Sequence, residues 1–306
     1  MIPARLLWLC LLPSVSVSVS VPVPVPAAAR EVCPPVGFDA ASLQALKQRQ
    51  FVIEDAAARQ ALALGLSACL SSADPALRDG IAYEALAQWM RGDQLDIATR
   101  RELRERLERM LEEPDAEGFR RPFAALVLSE IARTDRIGPW MSVQERGEMV
   151  AAAADYLRSV RDYRGYDEGQ GWRHGVAHGS DWLMQLALNP ALERDQLDTM
   201  LDAIASQAVP AAGHAYVFGE PGRLARPVLY IAKRGLLEDA DWRRWFLGLP
   251  ERVGDRGKAY ADRAWLARQH DLLAFLTSLY LEADQSDDPR IRALKAPLVQ
   301  ALKAVP

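Results

Sequence analysis

The chain has 306 residues, half of them apolar and a quarter charged, which suits a large packed core and excludes a disordered chain. Its 37 basic and 41 acidic residues leave a net charge of −4, which argues against nucleic-acid binding through a broad basic surface. No P-loop, GxSxG elbow, cysteine-rich zinc pattern or EF-hand loop is present, so those classes of chemistry find no support.

Residues 1–29 read as a signal peptide. Met1 to Arg5 supply a short n-region with one positive charge, LLWLCLL (6–12) an apolar h-region, and Ala27 to Ala29 the small residues a signal peptidase needs. The intervening SVSVSVSVPVPVP tract carries three spaced prolines, which favour extended chain and oppose the competing reading, a membrane anchor. Leu9 before Cys10 also argues against a lipoprotein. A periplasmic or secreted mature chain, residues 30–306, is expected, with no membrane span after cleavage. It retains two cysteines, Cys33 and Cys69. In an oxidising compartment an isolated pair invites a disulfide; the alternative is a buried Cys69 thiol with Cys33 free.

Most of residues 30–306 reads at a helical period. Ala56 to Leu70 is rich in Ala and Leu, and Pro75 opens a segment whose Ile81, Leu86, Trp89 and Met90 share a face. Thr99 is the expected N-cap of a helix carrying Leu103, Leu107 and Leu111, with Arg and Glu on a solvated face. Further helices are expected over 122–132, 143–160, 193–208, 223–234, 258–282 and 288–304, separated by turn signals such as Asn189-Pro190 and Pro210. No β-alternation is convincing outside the signal region. The expected fold is a single all-α domain of stacked antiparallel hairpins, an α-solenoid or α/α superhelix of HEAT-like spacing, or hairpins closed into a toroid.

All four histidines lie after residue 170, two of them in GWRHGVAHGSDWLMQLALNP. On a helix His174, His178 and Asp181 would fall within about 60° of one another, with Gln185 on the same stripe. Two His at i, i+4 can place both imidazoles on one divalent ion, zinc or manganese, with Asp181 as third ligand or as the acceptor that fixes a tautomer. The metalloprotease Glu is missing, since Gly175 follows the first His. Gly171, Gly175 and Gly179 would add a smooth stripe, for a close helix or for ligand access. Alternatively, the segment stays irregular until Ser180 caps a helix starting at Asp181. Structural histidines, hydrogen-bonded to neighbouring hairpins, are the plain reading of the same residues.

The segment RGYDEGQGWRHGVAHGSDWLMQLALNP resembles the signature of a bacterial family, the domain of unknown function numbered 2785, through Gly171, Trp172, His174, Ala177, His178, Gly179 and Asp181. GEPGRLARPVLYIAKRG is similar to a second family segment through Glu220, Arg223 and Leu224, with Pro221 and Gly222 departing from its more acidic form. LLAFLTSLYLEAD is similar to the family's closing helix. The resemblance spans roughly Cys69 to Asp284; it implies an all-α fold and no established activity. The expected signal peptide sets this chain apart from members that look cytoplasmic.

Two functions follow as expectations. One is an envelope protein binding a peptide, protein or small molecule through the His/Asp/Gly face, with Arg164, Arg173, Glu220 and Arg223 in its lining. The other is a metal-dependent hydrolase with His174 and His178 as ligands, completed by Asp181, His214 or Glu220, and with Asp167, Glu168 or Asp181 as candidate catalytic groups. Trp242, Trp245 and Phe246 could form a stacking platform, but their spacing favours a buried helix face.

Overall fold

In the computed structural model residues 32–306 are described; the expected signal peptide lies outside the described residues. The N-terminal helices begin where a short acidic side chain can accept from free backbone N–H groups. Asp39 opens α1 (Ala40–Gln48) with Ser42 in a reciprocal capping box, and Asp55 opens α2 (Ala56–Leu66). Asp74 precedes Pro75 at the start of α3 (Pro75–Leu77), which runs through a π-helical stretch, Arg78–Tyr83, into α4 (Glu84–Arg91). The α5 helix (Ile97–Glu112) is capped by Asp96, not by Thr99, whose own N–H donates to Asp96 at 2.7 Å.

Next come α6 (Arg120–Ile137) and α7 (Val143–Ser159), the latter opened by a Ser142/Glu145 capping box. A short antiparallel hairpin follows, β1 (Tyr166–Asp167) paired with β2 (Gly171–Trp172), which sequence patterning missed because each strand has only two residues. Then come α8 (Gly175–Ala187), α9 (Arg194–Ala208), α10 (Glu220–Arg234), α11 (Asp239–Glu251), α12 (Arg263–Gln285), α13 (Pro289–Ala293) and α14 (Lys295–Ala304). The last two were expected as one helix. Pro297 has no N–H for the Ala293 carbonyl and its ring crowds that carbonyl, so the helix breaks at Leu294.

Helices two apart in the chain lie side by side: α4, α6, α8, α10 and α12 each pack on the next, and α7 packs on α9. The pairs α5–α6 and α7–α8 are also in contact. The core is filled by Trp89, Trp182, Trp265, Phe246 and Phe275, all fully buried. Trp242 and Phe246 belong to this interior, and Trp245 packs on Phe275, so the three form a buried face rather than a platform. The Cys33–Cys69 disulfide is formed and joins the N-terminal segment to the turn after α2. Among the described residues, no helix is long and apolar enough to cross a membrane.

One wholly buried arginine fixes the β-hairpin. Arg78 pairs with Asp79 at 2.6 Å and donates to the Ser72 and Gln170 carbonyls at 2.9 and 2.7 Å. Its guanidinium lies 4.0 Å from the Phe119 ring centre, and Arg173 lies 4.2 Å from the same centre. This double cation–π contact, in a water-poor setting, holds the hairpin against α6.

Candidate functional site

The β2 strand leads directly into the histidines. Arg173 N–H donates to Gly165 O and His174 N–H to Arg164 O, so backbone pairing continues past the end of β2 as far as His174. His174 then turns it into α8 as the N-cap, in left-handed conformation at φ 57° and ψ 41°. The expected helical stripe of His174, His178 and Asp181 is therefore corrected: α8 starts at Gly175 and His174 stands outside it. The alternative start at Asp181 is overturned as well. A left-handed histidine costs roughly 1 kcal/mol, and such strain gathers at functional positions.

The glycine stripe dissolves too. Gly171 lies in β2 at φ 76°, a conformation that favours glycine. Gly175 and Gly179 instead let α7 approach, since a Cβ on them would sit 3.3 Å from Tyr156 Oη and 3.0 Å from the Tyr156 ring. These two glycines serve helix packing.

His174 stacks on Trp172 with ring centres 4.7 Å apart. Its Nε2 is buried and has no partner. Burial, helped by the Arg223 charge, pushes the imidazole pKa down to about 4. His178 is nearly inaccessible; its Nδ1 lies 3.1 Å from Pro122 O, which can only accept, so Nδ1 carries the proton and Nε2 the lone pair. Burial pushes this pKa down to about 3, and the Arg223 charge adds to it. Both rings are neutral at physiological pH, with centres 6.0 Å apart.

Asp181 does not face the histidines as a free ligand. Arg223 of α10 grips both its carboxylate oxygens, through Nε at 2.9 Å and through Nη2. Burial raises the Asp181 pKa, and the Arg223 hydrogen bonds oppose that rise. Its field also reaches Tyr83 and Glu130, and Glu130 holds Arg91 by two hydrogen bonds.

The other expected site residues have structural duties. Arg164 pairs with Asp162 and donates to Ala116 O, while Arg173 donates to Glu117 O and Gln170 Oε1; both anchor the loop before α6. Asp167, a candidate base, accepts from the Gly169 and Gln170 N–H groups and holds the hairpin turn, with Glu168 exposed beside it. His214 and Glu220 join a second cluster. His214 stacks on Tyr163 at 5.1 Å with its Nε2 buried and unpartnered, and Glu220 accepts from Phe218 N–H at 2.9 Å.

Sequence reasoning missed the centre of that cluster, Asp271 of α12. It is fully buried; Oδ1 accepts from Tyr216 N–H at 2.8 Å and Oδ2 has no partner. Burial, then the neighbouring Glu220 charge, pushes its pKa up to about 7. A signal existed: Asp271 lies four and eight residues before the buried Phe275 and Leu279, a charge within the apolar stripe.

Among the described residues, no group of three or more His, Cys, Asp or Glu side chains is placed to hold a metal ion. What the site offers is a neutral imidazole with an unused nitrogen, beside an Arg–Asp pair and beneath aromatic rings. Trp172 and Tyr166, ring centres 5.2 Å apart, are 38% and 51% exposed. No curated protein and no solved structure matches the chain. A family model does, over residues 107–281, a span that holds the hairpin, both histidines and the Asp181–Arg223 pair. The chain belongs to the family described as protein of unknown function DUF2785.

Proposed function

We propose that this protein is an exported binding protein whose ligand, a short peptide or small polar molecule, docks on Trp172 and Tyr166 and reaches His174 and Arg223. The observation that carries the reading is the buried, unpartnered Nε2 of His174. Buried polar atoms are nearly always paired, and this one belongs to a residue in a strained backbone conformation at the foot of an exposed aromatic pair. Since the imidazole stays neutral, it can donate to or accept from a ligand without a change of charge.

Export is supported by the basic, apolar and small-residue order of residues 1–29 and by a disulfide close to the expected cleavage point. The side-by-side run from α4 to α12 supports stacked hairpins. The metal-dependent hydrolase is the weaker reading, because Asp181 is taken by Arg223 and His174 and His178 are left as two donors without a third.

A thermal-shift screen of short peptides and polar small molecules tests the binding reading. Ligands that stabilise the wild type are expected to lose their effect in His174→Ala and in Trp172→Ala. Hits retained undiminished in both variants would overturn it.

A further inference from the structure

A cavity of about 870 Å³ opens between the first turns of α2 and α5 and the last turns of α4 and α6. It shares no residue with His174, His178, Asp181 or Arg223. Its wall carries four arginines, Arg59, Arg91, Arg100 and Arg133, against two aspartates, Asp93 and Asp96. In a chain of net charge −4 this is a local excess of positive charge.

The four arginines differ in how far they are satisfied. Arg59 donates to Ile53 O and Gln94 O, and Arg91 is held by Glu130. The Arg133 side chain makes no hydrogen bond or ion pair among the described residues. Arg100 is the unusual one. Its side chain is 7% exposed, its Nε is buried without an acceptor, and its carboxylate partner, reached through Nη2, is Asp93, itself 88% exposed. Asp96 is not available to it in full, because one oxygen caps α5 through Thr99 N–H. A buried guanidinium normally has its donors met, and its planar fork suits two oxygens of one anion. Ile97 and Ile137, 45% and 63% exposed, give the same cavity an apolar rim.

We propose that this cavity binds a small organic anion, whose carboxylate or phosphate is held by Arg100 and Arg133 and whose apolar part rests on Ile97 and Ile137. Asp93, lying in solvent, swings aside as the ligand anion takes its place on Arg100.

Calorimetric titration of the full chain with phenyl phosphate and with phenylacetate, at constant ionic strength, tests this and separates the phosphate from the carboxylate source. Saturable one-to-one binding of at least one probe is expected, and for phenyl phosphate it should be tighter than for inorganic phosphate. Arg133→Gln, which removes no existing hydrogen bond or ion pair of that side chain, should weaken binding about tenfold, the loss of one charge-assisted pair. Asp93→Ala should tighten it by removing the competing carboxylate. The proposal fails if neither probe saturates, if Arg133→Gln binds as the wild type does, or if Asp93→Ala weakens binding.

Discussion

Arg223 and Asp181 lie 42 residues apart in the chain, yet the guanidinium of one spans both carboxylate oxygens of the other and ties α10 to α8. The two partners are not equally buried: the Arg223 side chain is 32% exposed and that of Asp181 12%. Removing one partner is therefore not equivalent to removing the other. Arg223→Leu strands a buried carboxylate and is expected to lower the unfolding free energy by about 3 kcal/mol. Asp181→Asn leaves an arginine that can turn to water, and should lose only about 1 kcal/mol. Urea denaturation of both variants checks the order, and the double variant should recover part of the larger loss.

The disulfide closes a 36-residue interval. Chain entropy alone gives it about 4 kcal/mol of stabilisation. A Cys33→Ala, Cys69→Ala double variant should fold with a lower guanidinium midpoint, and the reduced wild type should match it. Equal midpoints for oxidised and reduced protein would show that the bridge adds nothing.

Stability should depend on pH in two opposed ways. His174 and His178, held at about 4 and 3 against an ordinary 6.5, are neutral in the fold. The unfolded chain takes up protons first, so their contribution is complete above pH 6.5 and is lost as pH falls through about 4 for His174 and about 3 for His178. Asp271, raised from 3.8 to about 7, acts in reverse: the folded chain holds the extra proton, and stability falls as pH rises from 4 to 7. Melting temperatures at pH 4.5, 6 and 8 should show Asp271→Asn gaining most over the wild type at pH 8. A gain that does not grow with pH would contradict this assignment.

Two glycines should respond with opposite signs. A Cβ on Gly179 would lie 3.0–3.1 Å from the Tyr156 ring and from Leu157, so Gly179→Ala should destabilise by roughly 1–3 kcal/mol through overpacking. Gly222, in the first turn of α10, has nothing within 4 Å of its Cβ position. Gly222→Ala should raise stability by about 0.5 kcal/mol through helix propensity and a less flexible unfolded chain. Thermal melts of the two variants decide both signs.

Protein purified without chelator or His-tag should carry less than stoichiometric zinc or manganese, and treatment with a chelator should leave its melting temperature unchanged. Elemental mass spectrometry is the direct readout. One ion per chain, lost in a His174→Ala, His178→Ala variant, would restore the hydrolase reading.

Sequence by itself determined the elements whose causes lie within one or two turns. The helical period and the apolar spacing of Trp242, Trp245 and Phe246 act locally, so the all-α class and most helix positions were legible. The cysteine pair was legible because only two cysteines remain after the expected signal peptide. Tertiary structure alone decided the site. The spacing of His174, His178 and Asp181 suits a helix, but backbone bonds from 173–174 to 164–165 continue the hairpin pairing to His174, which stands left-handed ahead of α8. Asp181 could be read as a metal ligand only while its partner in α10 was unknown. Arg78, which no local pattern marks out, is buried against Gln170, 92 residues away. Local periodicity records which face a residue occupies, whereas the state of a charge depends on partners that only the packed chain supplies.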